Sequence, residues 1–323
     1  MCTAISYLNN DHYFGRNLDL ERSFLETVTV TPQNYNFIFR TLPQMPNHYA
    51  MIGVSSVFDN YPLYYEATNE HGLSIAGLNF PGNAVYCNPD KNKVNLAPYE
   101  LIPWLLGQYK NVRDVQDALP HINIIAEPFN DNLPLSPLHW MISDKQQSIV
   151  LETTNTGMHL YSNPVNVLTN NPPFSYHLYN LANYLNITRE EPNNRLAPNL
   201  PLSPYSRGMG GLGLPGDLSS ASRFIRAAFV LHNSASLPDE HSNVSQFFHI
   251  LGSVEQQRGC VKVGNQYEQT IYSCCCNTDK GIYYYKTYNN SSISAVNLFR
   301  CDLSSSSLFT FPLKIEQTIL YQN

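Results

Sequence analysis

Basic residues are scarce in this chain: Lys and Arg together number 19 in 323 residues, and no basic run occurs. That excludes the electrostatic footprint of a nucleic-acid-binding protein and the basic amphipathic helix of a membrane-surface protein. No stretch reaches the ~18–20 consecutive apolar residues of a membrane-spanning helix. The opening segment lacks a basic stretch followed by an apolar one, since Asn9, Asn10, Asp11, Arg16 and Asp19 interrupt it. A secretory signal is therefore not expected, and the expected location is the cytoplasm. The patterns GxxxxGK[ST], HExxH and GxSxG are missing, which argues against P-loop, zincin and α/β-hydrolase chemistry. Gly208-Met-Gly210-Gly211-Leu-Gly213 formally satisfies GxGxxG. A proline-rich loop precedes it instead of a strand, and Pro215-Gly216-Asp217 follows before any helix, so dinucleotide binding is not expected. Cys274-Cys275-Cys276 lacks the two spaced ligand pairs of a zinc site, and three adjacent strand residues cannot all face one ion. These cysteines are expected to pack, and neither metal nor cofactor is expected.

What is present is ample apolar material, 43% hydrophobic residues, with a net charge of −6. No composition break marks a linker and no internal repeat is visible, so residues 1–323 are expected to form one domain. Residues 3–8 and 12–18 flank the turn cluster Asn9-Asn10-Asp11 and predict a hairpin. Residues 26–31, 51–57 and 73–80 predict further strands, with Gly72 marking a turn. Helices are predicted over 98–109 and, capped by Asn111, through 119. Strands at 138–144, 148–154 and 158–161 follow. Helices from Ser219 or Ser220 to about 232 and over 245–256 come next, then strands at 269–276, 282–287 and 293–299. Blocks of strands joined by tight turns indicate antiparallel sheets of an α+β fold rather than βαβ units. The segment 188–216 is long, rich in Pro and Gly and nearly without strand; it is either a subunit-contact arm or a mobile surface loop.

The chemistry points to Cys2. Removal of Met1 would place a thiol and an α-amine on one residue, a nucleophile with a base built in. An α-amine with an ordinary pKa of ~7.7–8.0 is partly neutral near pH 7 and can accept a proton. The predicted hairpin brings Arg16 and Asp19 back beside Cys2. An Arg next to sulfur favours thiolate over thiol, and an Asp next to the amine can hold its orientation. On the residues alone, a surface ion pair remains the competing reading for Arg16 and Asp19.

Several segments in order resemble one family: Met1-Cys-Thr-Ala-Ile5, Phe14-Gly-Arg-Asn-Leu-Asp19, Gly77-Leu-Asn-Phe-Pro81, Leu138-His-Trp-Met-Ile-Ser-Asp144, Leu168-Thr-Asn-Asn-Pro172, Gly213-Leu-Pro-Gly-Asp217 with Ser222-Arg-Phe224, and Phe247-Phe-His-Ile-Leu251. The chain resembles the choloylglycine hydrolase family, which contains bile salt hydrolases and penicillin V acylases. Its pattern is most similar to bile salt hydrolases of intestinal lactobacilli, including Asn79-Phe-Pro-Gly-Asn83 and Ile102-Pro-Trp-Leu-Leu-Gly107. The resemblance implies an αββα four-layer sandwich of the N-terminal nucleophile hydrolase type, two stacked antiparallel sheets flanked by helices. It implies Cys2 as nucleophile once Met1 is lost, Asp19 at the α-amine, Arg16 beside the thiol, Asn79 and Asn170 as oxyanion donors, and Arg223 completing the charged network. Asn171 is the rival to Asn170; ordinary turn or strand-end asparagines are the plainer reading of Asn79 and Asn170, and a cap or pair on its helix that of Arg223. Leu18, Leu20, Phe24, Phe58, Tyr65, Phe129, Leu133 and Leu138 become candidates for an apolar substrate pocket, core packing being the alternative for each. The implied substrates are glycine- or taurine-conjugated bile salts, hydrolysed through a thioester. Penicillin V acylase activity or a non-catalytic bile-binding role are the alternatives. The 188–216 segment matches in position a loop that builds homotetramers in the family.

Overall fold

The computed structural model describes residues 1–323. Two large antiparallel sheets carry the architecture. The first is ordered Val167–Leu168, Cys2–Asn9, Asp11–Leu20, Gln266–Asn277, Ile282–Thr287, Asn290–Asn297, with Val261–Val263 attached to the fourth strand. The second runs Gly157–Ser162, Ser148–Thr154, Leu138–Ser143, Ser74–Asn79, Tyr61–Asn69, Met51–Phe58, Thr27–Thr31, Phe309–Pro312. The sheets pack through one core in which Ala4, Phe14 and Leu18 of the first meet Val54, Ala76 and Leu78 of the second. Helices Ser220–Asn233 and Glu240–Gly252 cover the outer face of the first sheet through Phe224, Phe247 and Leu251. Leu101, Leu105 and Leu106 of helix Leu101–Gln108 cover the outer face of the second with Ile75, Trp140 and Ile142. The layer order is thus helix, sheet, sheet, helix.

The first hairpin turns at Asn10, whose φ of 65° is a left-handed conformation that asparagine tolerates. Its register pairs Cys2 with Leu18 and Ala4 with Arg16, so a one-residue slip would turn Cys2 and Arg16 to the opposite face of the sheet. Ser219 caps the helix starting at Ser220 by accepting from the Ser222 N–H, and Asn111 caps Val112–Ala118 through Asp114 N–H.

Five expectations need correction. The stretch between residues 57 and 73 is not a simple turn. It holds the strand Tyr61–Asn69, entered through Asp59 and Asn60 at positive φ, with Gly72 (φ 86°) turning only its far end. Pro62 and Glu66 break the apolar alternation that would have revealed it. The helix expected over 245–256 begins at Glu240 and ends at Gly252, because Asp239 accepts from Ser242 N–H and fixes the start earlier. Phe174–Asn180 is an unexpected short helix, and Phe309–Pro312 an unexpected edge strand. Val94–Leu96 and Ile122–Ile124 pair in parallel, a minor exception to the antiparallel rule. The 188–216 segment contains only a single 3-10 turn at Met209–Gly211, and there the glycine-rich run sits without a preceding strand. All three thiols of Cys274-Cys275-Cys276 are buried in the core, and burial pushes that of Cys276 up to about 12.

Candidate active site

Cys2 opens the first strand and is 2% exposed. Its backbone N–H donates to Asn170 Oδ1 at 2.8 Å, and its carbonyl accepts from Arg223 Nη1 at 2.6 Å. Arg223 also donates to Asn170 Oδ1 (2.8 Å) and to Thr3 Oγ1 (2.6 Å), and it lies 4.0 Å from Asp19 Oδ2. The side-chain amide of Asn170 thereby has its oxygen fixed by two donors. Its Nδ2 must point the other way, where one N–H reaches the Asn79 carbonyl at 2.7 Å. The neighbouring Asn171 turns outward and donates to Pro81 O (2.6 Å), so Asn170 is the member of the pair that meets Cys2.

Asn79 ends the strand Ser74–Asn79. Phe80 N–H donates to Pro137 O at 2.7 Å, and Asn79 stands opposite Leu138. In an antiparallel ladder hydrogen-bonded and non-bonded pairs alternate, so the Asn79 N–H faces away from Leu138, toward the other edge of its strand. That edge is open. Pairing with Tyr61–Asn69 stops at Glu66 opposite Ala76, and the next two carbonyls, of Tyr65 and Gly77, both accept from Arg16 Nη1 (3.1 and 2.5 Å). The guanidinium wedges the ladder open beneath Cys2.

Arg16 is wholly buried, and burial works against its charge. Cys2, Tyr272 and Glu66 outweigh that cost and hold its pKa above the ordinary value. Glu66 Oε2 lies 3.8 Å away. Burial raises the Glu66 pKa, opposed by Arg16 and by hydrogen bonds from Tyr283 (2.6 Å), Tyr272 (2.7 Å) and Val54 N–H (3.1 Å). Removing one partner of such a buried set leaves the others uncompensated. Glu66→Ala is expected to lose about 3–5 kcal/mol of unfolding free energy in urea titrations; a loss under 1 kcal/mol would mean the tyrosines and Arg16 find other partners.

Asp19, also fully buried, accepts from Thr270 Oγ1 at 2.6 Å. Burial raises its pKa, offset in part by Arg223 and the chain's amino terminus. With Met1 in place that amino terminus belongs to Met1. Its ammonium pairs with Glu268 and donates to the Asp19 carbonyl (2.8 Å), while burial lowers its pKa against the pull of Cys2 and Asp19. The terminal amine is therefore one residue short of the position in which Asp19 could hold a Cys2 amine. Glu66, Glu268, Thr270, Tyr272 and Tyr283 are contributors that the sequence did not single out. Their one local signal is a charged residue, Glu66 or Glu268, at a buried strand position.

Above Cys2 and Arg16 lies a cavity of ≈ 340 Å³. Leu18 and Leu20 come to it from the first sheet, Phe58 and Tyr65 from the second, and Phe24 from the loop between them. Phe129, Leu133 and Leu138 close the far side with the prolines at 128, 134 and 137. All eight apolar candidates are on its wall, together with Tyr64, Tyr99 and Ile102. An apolar chamber with a thiol, a buried guanidinium and two amide donors at one end suits an amphipathic substrate whose polar end reacts.

A buried thiol at the start of a strand, two asparagines beside it and an apolar chamber are parts that suit an amide-hydrolase site on a four-layer sandwich. The model of the linear amide C–N hydrolases, choloylglycine hydrolase family, matches residues 2–311, and this chain belongs to that family. A bile salt hydrolase/transferase of Lactiplantibacillus plantarum is 54% identical over 317 residues, covering 98% of each chain. A conjugated bile acid hydrolase of Lactobacillus gasseri is 36% identical over 96% of this chain and all of its own. The crystal structure of a mutant conjugated bile acid hydrolase from Clostridium perfringens superposes with a TM-score of 0.92 at 34% identity, each chain fully covered. The penicillin V acylase of Agrobacterium tumefaciens shares the fold (TM-score 0.77, 99% and 94% covered) at 18% identity.

Proposed function

We propose that this protein is a conjugated bile salt hydrolase that cleaves glycine- or taurine-conjugated bile salts into bile acid and amino acid. The observation that carries the reading is the placement of Cys2 at the polar end of an apolar chamber, within a family of linear amide hydrolases. The likeness to a penicillin V acylase carries the fold and no further.

The mechanism uses the mature chain, Met1 removed. Cys2 Sγ attacks the amide carbonyl while its proton passes to the Cys2 α-amine. The new oxyanion meets Asn79 N–H and the Asn170 Nδ2 proton that does not bond the Asn79 carbonyl; one such donor is worth ~3–4 kcal/mol of barrier. The ammonium then protonates the leaving nitrogen, and glycine or taurine departs. Water gives a proton to the freed amine, attacks the thioester and releases bile acid and thiol. Arg16 supports negative charge on sulfur, Asp19 holds the amine, and Arg223 holds Asn170. Assay of glycocholate, taurocholate and penicillin V side by side tests the assignment: release of glycine and taurine is expected, and preferential penicillin V cleavage would reverse it.

The wall sets affinity rather than chemistry. Phe129, wedged against Tyr61 and Tyr99, offers its ring to the chamber. Phe129→Ala is expected to raise KM for taurocholate severalfold and to change kcat less; an unchanged KM removes Phe129 from substrate contact.

Two coarser matters extend the reading. The 188–216 arm exposes Leu196, Leu200, Leu202 and Tyr205, which supports a homotetramer built through it, to be checked by light scattering. Seven cysteines, none paired and two of them exposed, support a reducing compartment such as the cytoplasm; no helix is long and apolar enough to cross a membrane.

A further inference from the structure

Behind the two amide donors lies a buried pair that the mechanism leaves unused. His139, on the strand Leu138–Ser143, and Glu152, on the neighbouring strand Ser148–Thr154, are both fully buried with their side chains 3.0 Å apart (Nδ1 to Oε1). The other ring nitrogen, Nε2, lies 2.9 Å from the carbonyl of Thr169, the residue before Asn170. The imidazole face stacks on Phe80, the residue after Asn79, at 4.3 Å and 5° between planes. One ring thus touches both segments that present oxyanion donors. Glu152 Oε1 also accepts from Phe174 N–H (2.9 Å), which pins the chain just beyond Asn170.

We propose that His139 and Glu152 are positioning residues that fix the spacing between the Asn79 N–H and the Asn170 amide. The inference rests on the oxyanion roles proposed for those two residues. Both ring nitrogens of His139 face acceptors. Glu152 Oε1 serves two tethers at once, the imidazole and the Phe174 N–H. A glutamine at 152 is neutral and cannot keep every tether: with its oxygen turned to His139 and Phe174 it no longer favours a proton on both ring nitrogens, so Thr169 O is given up, and with its NH2 turned to Nδ1 the Phe174 N–H loses its acceptor. Asn170 is then free to drift, and misplacement of a donor by an ångström costs on the order of 100-fold in favourable geometries. The thiol and the apolar wall are untouched by the change.

The test uses the full-length, Met1-free enzyme. For Glu152→Gln, kcat on taurocholate is expected to fall roughly 10-fold or more while KM stays within about twofold. Alkylation of Cys2 by iodoacetamide, read from the Cys2 peptide by mass spectrometry, is expected at the wild-type rate, because displacement at a methylene carbon builds no oxyanion. Asn170→Ala is measured in parallel. If it loses kcat and Glu152→Gln does not, the positioning role is overturned and the oxyanion reading stands. If Asn170→Ala keeps full kcat, the oxyanion reading falls and takes the inference with it. A parallel fall of turnover and alkylation in Glu152→Gln marks general disruption and overturns the inference. Should Glu152→Gln not fold, Phe80→Leu removes the stacking contact alone; the same kcat-selective loss supports the role, and wild-type kcat refutes it.

Discussion

Cys2→Ala is expected to abolish bile salt hydrolysis, lowering kcat by on the order of 10⁵–10⁶, the scale seen when a covalent nucleophile is removed from a preorganised site. The fold should survive. The backbone groups of Cys2 remain bonded to Asn170 and Arg223, Arg16 keeps the carbonyls of Tyr65 and Gly77, and only one buried sulfur atom is lost. That loss resembles deletion of one methylene, about 1 kcal/mol. Taurine release and thermal unfolding measured on one preparation separate the two effects. A variant that unfolds with wild-type stability yet hydrolyses taurocholate within tenfold of wild type would place the nucleophile elsewhere. The six other thiols offer no obvious substitute: Cys274, Cys275 and Cys276 are buried with raised pKa values, and Cys87, Cys260 and Cys301 do not line the chamber.

The part of this site that could be read from sequence is the part encoded by neighbours along the chain. Cys2, Arg16 and Asp19 are joined by one hairpin whose turn is written in Asn9-Asn10-Asp11, so register alone brings them together. The family resemblance supplied Asn79, Asn170, Arg223 and the eight apolar wall residues, and the structure gathers them around Cys2 and its chamber. What escaped was non-local. Glu66 reaches Arg16 from the other sheet, on a strand that Pro62 disguised. Glu268 and Thr270 reach the amino terminus and Asp19 from more than 250 positions away. His139 and Glu152 read as isolated polar residues in two apolar strands until the ladder sets them side by side. A one-dimensional pattern shows which face of a strand is buried, not which distant charge shares that face.

The state of the amino terminus yields the second large effect. While Met1 remains, Cys2 nitrogen is a peptide N–H that donates to Asn170 Oδ1 and has no lone pair available for a proton. The only terminal amine is that of Met1, tied to Glu268 and to the Asp19 carbonyl. Asp19 N–H in turn donates to the Met1 carbonyl at 3.0 Å, so Met1 is held by the Asp19 backbone and not by its carboxylate. Cleaving the Met1–Cys2 bond would create the base next to Asp19, whose carboxylate oxygen Oδ2 has no hydrogen-bond partner while Met1 remains. A chain made to keep an extra residue before Cys2, by insertion of a leucine after Met1, should fold and bind bile salt but turn over at least 10³-fold more slowly, since both general base and general acid are absent. Treatment with a site-specific protease that leaves Cys2 as the first residue should restore full activity, with the mass change and the rate rising together. Undiminished turnover by a chain whose mass shows the added residues intact would remove the α-amine from the mechanism, and the proton would have to be carried by a group other than the one bonded to Asn170.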